Sequence, residues 1–198
     1  MNVSRETTAR LETYAALLTK WNPAINLVAK STLPDLWTRH IADSAQLFDL
    51  CPPDARTWVD LGSGGGFPGM VVAILAIEAK SDLQVTLVES DQRKATFLRT
   101  VARETGAPVT IHSQRAESLT PQGADVLSAR AFASLPRLLA HVHHHLAPGG
   151  VAFLPKGAQA DAEIAEALAS WGFQVQKTPS KTDPQAVILS IKGLTRAA

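Results

Sequence analysis

Hydrophobic positions along the chain follow two patterns. In the first part, apolar side chains recur at helical spacing, which predicts amphipathic helices over 4–20 and 33–50 with a break at 21–23. In the second part, short apolar runs alternate with amphipathic segments, which predicts alternating strands and helices. The sequence therefore predicts an N-terminal helical appendage, residues 1–52, packed as one unit with an α/β domain, residues 53–198.

The alternating part of the chain predicts an open, mostly parallel sheet. Strands are predicted at 57–61, 83–88, 108–112, 124–129, 150–155, 173–177 and 186–191. Helices are predicted at 67–78, 91–105, 134–146 and 158–170. Helices between successive strands make those strands parallel, with right-handed crossovers. Only residues 178–185 join the last two strands, and this connection is too short for a parallel crossover. We therefore expect a seven-stranded sheet whose last strand is antiparallel.

A glycine-rich segment lies between the first predicted strand and the next helix. It reads Asp60-Leu61-Gly62-Ser63-Gly64-Gly65-Gly66-Phe67-Pro68-Gly69. Glycines let backbone amides come close to a ligand at a helix N-terminus. Glu89 follows the next strand, where an acid can accept hydrogen bonds from both ribose hydroxyls of a nucleoside. The pattern therefore predicts a site for a nucleoside-containing cofactor, formed by Asp60, Gly62, Gly64 and Glu89.

Two cofactors fit a glycine turn of this kind. Residues 64–69 match the dinucleotide fingerprint Gly-x-Gly-x-x-Gly by letter. The glycines begin earlier, however, at Gly62, and Phe67 and Pro68 fill the place where a pyrophosphate would need close approach. The pattern instead resembles class I methyltransferases that use S-adenosyl-L-methionine, in which Asp60 either supplies negative charge near the sulfonium or orders the loop. A dinucleotide site and a structural turn without a ligand are the alternatives.

Composition narrows the class of protein. The 198 residues, 45% of them apolar, are enough for one domain or one domain with a small appendage. The longest apolar run, 70–77, is too short to cross a membrane, and the polar N-terminus lacks the core of a signal peptide. Cys51 is the only cysteine, which fits a reducing compartment. We expect a cytoplasmic monomer with no membrane contact.

Motifs spread along nearly the whole chain share one family resemblance. The second helix carries Arg39-His40-x-x-Asp43-Ser44, and the glycine turn continues into Phe67-Pro68-Gly69. Further motifs are Trp21-Asn22, Asn26-Leu27, Glu89-Ser90, Phe97-Leu98, Ser128-x-Arg130-Ala131, Pro148-Gly149-Gly150 and Lys156-Gly157. With these motifs the chain resembles the bacterial 16S rRNA guanine-N7 methyltransferases of the RsmG (GidB) family.

The resemblance implies a fold, a cofactor and a substrate. The fold is the Rossmann-like fold of class I methyltransferases, and the cofactor is S-adenosyl-L-methionine. The substrate is the guanine at position 527, in the 530 loop of 16S rRNA, within the 30S subunit or an assembly precursor. The alternatives are a methyltransferase of another RNA, a protein or a small molecule, and a non-catalytic RNA-binding protein with a vestigial cofactor site.

The resemblance also implies cofactor contacts at Gly62, Phe67, Ala116, Glu117 and Arg130. From its position alone, the segment with Ala116 and Glu117 follows the third strand, where backbone atoms can pair with an adenine edge. Arg130 follows the fourth strand and can pair with the methionine carboxylate or donate to guanine O6. The resemblance favours the carboxylate. Phe67 packs either on the cofactor or on the helix start.

The acceptor atom is narrowed by motifs that the sequence does not carry. Enzymes that methylate exocyclic amines of bases commonly have prolines after the fourth strand, where this chain reads Ser-Ala-Arg-Ala-Phe at 128–132. Pyrimidine C5 methylation needs a cysteine nucleophile, and Cys51 lies before the first strand. Guanine N7 has a free lone pair and no proton, so in-line transfer to it needs neither device. The absence of both devices is therefore consistent with an N7 acceptor, and the sequence leaves the catalytic residues unknown.

The surface that contacts RNA is less clearly marked. Guanine N7 lies in the deep groove of A-form RNA, which side chains hardly reach, so we expect an irregular or single-stranded target. Candidate phosphate contacts, or ordinary solvated charges, are Arg93, Lys94, Arg99, Arg103, Arg130, Arg137 and Lys156.

Other residues with possible functional roles have ordinary structural explanations. Trp21 and Trp37 are expected to be core anchors. His141 and His145 have metal-ligand spacing but no third ligand near by in sequence, so we expect a solvated helix end and no metal.

Overall fold

A seven-stranded sheet forms the centre of the computed structural model, which describes residues 3–79 and 82–197. The strands are β1 (Thr57–Leu61), β2 (Gln84–Val88), β3 (Val109–His112), β4 (Ala124–Ala129), β5 (Leu146–Lys156), β6 (Trp171–Pro179) and β7 (Val187–Arg196). Their order across the sheet is β3-β2-β1-β4-β5-β7-β6. The pairs from β3 to β5 are parallel, and β7 is antiparallel to both of its neighbours. The predicted fold class is confirmed.

Helices cover both faces of this sheet. They are α1 (Arg5–Ile25), α2 (Asp43–Phe48), α3 (Gly69–Glu78), α4 (Gln92–Thr105), α5 (Leu135–His145) and α6 (Ala160–Ala167). A π-helical turn, Trp37–Ala42, leads directly into α2, and the residues from this turn to the end of α2 are called the signature helix below. Short 3₁₀ turns lie at Lys30–Thr32 and Ala116–Ser118.

The two faces of the sheet bury separate hydrophobic cores. Successive strand residues point to opposite faces, so Trp58 belongs to one core and Val59 to the other. Helices α1 to α4 pack on the first face, where Leu11 and Leu18 of α1 join Trp58 in one cluster. Helices α5 and α6 pack on the second face. The N-terminal helices therefore share a core with the sheet.

The predicted break at 21–23 is wrong, because α1 continues through Pro23 to Ile25. A proline removes one backbone donor, which is a small loss in the last turn of a long helix. The buried Asn22 side chain bonds both the N–H and the C=O of Val28, at 2.9 and 3.1 Å. The helix ends instead at Asn26, whose left-handed conformation (φ 50°) closes it.

Further boundaries differ from the sequence pattern. The helix predicted at 33–50 begins only at Trp37, because the preceding residues form the first 3₁₀ turn and a bend. Strands β6 and β7 are longer than predicted at 173–177 and 186–191. Much of both strands is exposed, so polar side chains hide the strand periodicity in sequence.

The described residues contain neither a transmembrane helix nor a cluster of metal ligands. Within residues 3–79 and 82–197, no helix has both the length and the apolar character that a transmembrane span requires. The same residues contain no cluster of three or more histidine, cysteine or acidic side chains arranged to hold a metal ion.

Candidate active site

The glycine turn lies at the carboxyl end of β1 and is bonded to the end of β2. The N–H groups of Gly62 and Ser63 both donate to the Val88 carbonyl, at 2.8 and 3.1 Å. Gly62 has φ +65°, a conformation that other residues adopt only with strain. A Cβ at this position would also lie 2.2 Å from the Phe132 ring. The Gly62 backbone and the Phe132 ring therefore lie so close together that a larger residue than glycine would not fit.

Asp60 lies beneath the turn and is fully buried. Its Oδ1 accepts a hydrogen bond from Ser128 at 2.7 Å, and its Oδ2 accepts one from the Gly69 N–H at 3.3 Å. Burial raises the pKa of Asp60 to about 6, and these hydrogen bonds act in the opposite direction. The carboxyl thus joins β1, β4 and the start of α3. Of the two roles considered for Asp60, its contacts are those of a group that orders the loop.

Glu89 lies beside the turn, immediately after β2, and is 7% exposed. Its Oε2 accepts from the Gly64 N–H and its Oε1 from the Asp91 N–H, both at 2.8 Å. In doubly wound folds an acid at this position bonds the ribose hydroxyls of a nucleoside. Glu89 and Gly64 therefore come together as the sequence pattern requires.

A small cleft of about 100 Å³ separates the glycine turn from the 3₁₀ turn at Ala116–Ser118. Ala116 is buried at its base, and Glu117 is exposed. The cleft is lined by Gly62, Val88, Ser90, Gln114, Arg115, Ala116, Glu117 and Phe132. The structure thus places three of the predicted contact residues, Gly62, Ala116 and Glu117, around one concave surface.

His145 holds the 3₁₀ turn from below. Its Nε2 donates to the Ala116 carbonyl at 2.9 Å, and the side chain is fully buried. Burial lowers the pKa of His145, which favours the neutral ring. The prediction of a solvated helix end is therefore wrong for His145, because the last turn of α5 packs against the 3₁₀ turn.

Arg130, at the end of β4, is bound to the signature helix. One of its terminal nitrogens donates to His40 Nδ1 at 2.8 Å, and the other donates to the Arg39 carbonyl at 3.3 Å and lies 3.6 Å from the Asp43 carboxylate. Because an arginine can only donate, His40 Nδ1 must accept, which leaves its Nε2–H to donate to Thr32 at 2.8 Å. Burial, helped by Arg130 and Arg39, lowers the pKa of His40 to about 4, so the ring is neutral at pH 7.

Phe67 is almost fully buried between α1 and the signature helix. Its ring stacks on Tyr14 at 5.3 Å and lies 5.0 Å from the His40 ring. The Arg130 guanidinium lies over the same ring, 5.0 Å from its centroid. The Phe67 side chain therefore contacts Arg130 and packs between Tyr14 of α1 and His40 of the signature helix.

Tyr14 is a site residue that the sequence pattern did not reveal. Its hydroxyl donates to the Gly65 carbonyl in the glycine turn, and burial raises its pKa. Gly66 has φ +97°, and a Cβ there would lie 2.6 Å from the same hydroxyl. The available signal was weak: Tyr14 is the only tyrosine in the chain, but it also fits the apolar stripe of α1.

A larger cavity of about 580 Å³ opens beside Arg130, at the carboxyl ends of β4 and β5. This volume lies in the range of small-molecule sites. Its lining comes from the signature helix, the loop after β4, the segment after β5 and the β6–β7 turn. The lining residues are Asp43, Arg130, Ala131, Phe132, Ala133, Ser134, Pro155, Lys156, Gly157, Glu163, Ser180, Asp183, Ala186, Val187 and Ile188.

An ion pair fixes one wall of this cavity. Lys156 Nζ lies 2.8 Å from the Glu163 carboxylate and donates to the Ala133 carbonyl at 3.2 Å. The same Glu163 oxygen accepts from the Leu135 N–H at 2.6 Å. Because of these bonds, the pKa of Glu163 is below its usual value despite partial burial. The pair therefore anchors the loop between β4 and α5.

The β6–β7 turn closes the opposite wall against the signature helix. Asp43 Oδ1 accepts from the Thr182 hydroxyl and from Gln46, both at 2.8 Å. Gln46 also bonds Ser180 and the Lys181 N–H, at 3.2 and 3.0 Å. Asp43 and Gln46 lie more than 130 positions from the turn residues that they bond, so no local pattern could bring the two segments together.

The candidate RNA contacts are dispersed. Among them, Arg93 and Arg103 are exposed and paired with Asp91 and Glu104, whereas Arg130 and Lys156 are largely buried at the cavity.

The two tryptophans of the N-terminal helices differ in burial. Trp21 packs on Phe97, with ring centroids 5.7 Å apart. Trp37 is 42% exposed, so its expected role as a core anchor is wrong.

The sheet order, the glycine turn and the acid after β2 together define a class I methyltransferase that uses S-adenosyl-L-methionine. Solved structures with this fold include the ribosomal protein L11 methylase of Lactobacillus delbrueckii subsp. bulgaricus, at TM-score 0.61 and 17% identity over 79% of this chain and 77% of that chain. A TehB-like SAM-dependent methyltransferase of Corynebacterium glutamicum matches at TM-score 0.58 and 15% identity, over 93% and 98% of the two chains.

The chain belongs to the rRNA small subunit methyltransferase G family, whose model matches residues 7–189. Relatives that carry the name ribosomal RNA small subunit methyltransferase G include that of Rhodospirillum centenum, 56% identical over 96% of this chain and 85% of that protein. Those of Cereibacter sphaeroides and Paracoccus denitrificans are 54% and 50% identical, over 98% and 100% of this chain and 93% and 100% of those proteins. The predicted family and cofactor are confirmed.

Proposed function

We propose that this protein transfers a methyl group from S-adenosyl-L-methionine to N7 of a guanine in 16S rRNA. One observation carries the proposal: a cofactor cleft of this fold adjoins a separate, charge-lined cavity at the carboxyl ends of the central strands. Membership of the rRNA small subunit methyltransferase G family supports rRNA as the substrate. The guanine at position 527, in the 530 loop, is the target that the family resemblance implies.

The cofactor roles follow from where each group lies. Gly62 and Gly64 offer the backbone of the turn, Glu89 offers its carboxylate to the ribose, and Ala116 with Glu117 face the adenosine end. Asp60 and Phe67 act through contact with the turn and with Arg130.

Arg130 is proposed to pair with the methionine carboxylate. The bonds to His40 and Arg39 use only two of its five N–H donors, and the side chain lines the larger cavity. Burial of the guanidinium makes a charged partner valuable, because a buried cation must be paired. Asp43 supplies part of this pairing at 3.6 Å, and a carboxylate at the cavity would complete it.

The chemistry requires little from side chains. The cofactor supplies a methyl group on a cationic sulfonium. Guanine N7 carries a lone pair and no proton, so no base has to remove one, and no covalent adduct is needed. The protein contributes by holding N7 in line with the methyl group, and positioning of this kind can account for about 7–11 kcal/mol of barrier reduction.

The physical form of the substrate is a further part of the proposal. We place the reaction on the 30S subunit or an assembly precursor, in the cytoplasm, with the protein acting as a monomer. Methyl transfer from labelled cofactor to three acceptors tests this: 30S subunits lacking the native methylation, naked 16S rRNA and free nucleosides. Transfer to the subunit alone supports the proposal. Transfer to nucleosides, or cofactor binding without any transfer, would favour the small-molecule or vestigial-site alternative.

A further inference from the structure

Phe132 lies between the two cavities of the site. Within the described part of the chain, it is the one residue that lines both the cofactor cleft and the larger cavity. Its ring covers Gly62 on one side and meets the His141 ring edge-on, at 5.2 Å between centroids. The Phe132 ring therefore lies at the boundary that the two cavities share.

The backbone around Phe132 is held at both ends. On one side Arg130 is bound to His40 of the signature helix, and on the other Glu163 bonds the Leu135 N–H. Between these anchors, Ala131 adopts a left-handed conformation (φ 51°), which is uncommon for a residue other than glycine. Strain of this kind occurs where a structure forces a side chain into a particular place. The outlier lies directly before the residue whose ring borders both cavities.

Apart from the Arg130 guanidinium, which is already bound to the signature helix, the larger cavity otherwise offers an extruded base no flat surface. Phe132 is the only aromatic side chain among the described residues that line it, and the others are charged, small or aliphatic. Every base has a π face, and stacking on an aromatic side chain is the usual means of holding a base removed from its own stack.

The electronic change during transfer also suits an aromatic ring. The guanine N7 lone pair forms the new C–N bond while the electrons of the C–S bond remain on sulfur, which becomes a neutral thioether. The positive charge therefore moves from sulfur to the purine. The face of an aromatic ring attracts a cation, so a stacked ring interacts more strongly with the methylated purine than with guanine, and the interaction grows in the transition state.

We propose that the target guanine stacks on Phe132 during methyl transfer, and that Phe132 is thereby a positioning residue for N7. This inference rests on the proposed function. It assigns the part of the larger cavity beside Phe132 to the π face of a purine base extruded from RNA, while Arg130 at the same cavity receives the methionine carboxylate.

The test measures two quantities on the full-length protein: the single-turnover rate of methyl transfer to unmethylated 30S subunits, and the affinity for S-adenosylhomocysteine by calorimetry. Phe132→Leu removes the aromatic face but keeps bulk, and Phe132→Tyr keeps the face. Phe173→Leu is the matched control, because Phe173 is also partly buried against the second core but lies on β6.

We expect Phe132→Leu to lower the single-turnover rate about 10- to 100-fold and to leave cofactor affinity within about threefold. The tyrosine variant and the control should stay within about threefold of the wild-type rate. A leucine variant as fast as the wild type would overturn the inference, and so would an equal loss of rate and cofactor affinity, which would assign the ring to the cofactor. If the wild type itself methylated no 30S subunits, the proposed function would fail and this inference with it.

Discussion

The glycine turn and the larger cavity are built by different kinds of interaction. The turn is held by buried groups that bond its backbone: Tyr14 bonds the Gly65 carbonyl, and Glu89 bonds the Gly64 N–H. The cavity is walled by side-chain contacts between segments distant in sequence, such as Asp43 with Thr182. From this comparison we expect stability and cofactor binding to be coupled in the turn, and we expect the cavity to lose acceptor positioning while the fold survives.

The largest effect is expected from Gly66→Ala. Gly66 has φ +97°, and a Cβ there would meet the Tyr14 hydroxyl at 2.6 Å and the Met70 Cβ at 3.0 Å. Backbone strain and overpacking together should lower the free energy of unfolding by about 2–4 kcal/mol and weaken cofactor binding at least tenfold. Urea denaturation and calorimetry measure both changes.

Gly106→Ala is the matched control, because Gly106 also has a positive φ of 68° but no atom within 4 Å of the added Cβ. It should cost only about 1 kcal/mol of stability and leave cofactor binding unchanged. Equal losses in the two variants would show that close packing under the turn is unimportant.

Arg130→Ala tests whether a residue that lines the larger cavity also binds the cofactor. Loss of a charged hydrogen-bond partner should weaken cofactor binding about 10- to 100-fold, measured by calorimetry with S-adenosylhomocysteine. Arg137→Ala, an exposed arginine on α5, serves as the control and should bind as the wild type does. Unchanged cofactor affinity in Arg130→Ala with a collapse of methylation would instead assign Arg130 to the guanine.

Tyr14→Phe removes one hydroxyl from beneath the turn. The Gly65 carbonyl then loses its buried donor, which should cost about 1–3 kcal/mol of unfolding free energy. Cofactor affinity should fall only several-fold, less than in Gly66→Ala, because Glu89 still bonds the Gly64 N–H. If stability fell but affinity did not change at all, the coupling between the turn's support and cofactor binding would be disproved.

The smallest effect is a pH dependence that originates at His40. Its folded pKa of about 4 lies below the ordinary value of 6.5, so between these pH values the unfolded chain binds a proton that the folded protein does not. The stability from this group is complete above pH 6.5 and is lost as the pH falls towards 4.

His40→Gln isolates this contribution. Between pH 7 and pH 5 the unfolding free energy of the wild type should fall by about 1–2 kcal/mol more than that of the variant, measured by urea denaturation. Asp60, whose raised pKa acts in the opposite direction, is present in both proteins and cancels. Parallel pH profiles would show that His40 is not held neutral by Arg130 and burial.

The sequence predicted more of the glycine turn than of the cavity. The turn depends on residues close together in the chain, and apolar runs marked β1 and β2, so Gly62, Gly64 and Glu89 could be identified together. Asp60 could be identified as well, although its burial beneath α3 depends on packing.

The remaining contacts depend on tertiary structure. Tyr14 lies 51 residues from Gly65, and the Arg130–His40 bond joins residues 90 apart. Amphipathic periodicity describes only which face of a helix is apolar, so it could neither pair these groups nor predict the π-helical turn. Pro23 predicted a break that the structure does not have, because in the last turn of α1 a proline removes only one backbone donor.

Mapping the methylated atom in 16S rRNA tests the central claim most directly. Unmethylated 30S subunits would be treated with the protein and labelled S-adenosyl-L-methionine, and the rRNA digested and analysed by mass spectrometry. The proposed function predicts a single product, N7-methylguanine, at position 527. Label on another atom, on another base or at scattered positions would contradict the assignment of this site to guanine N7.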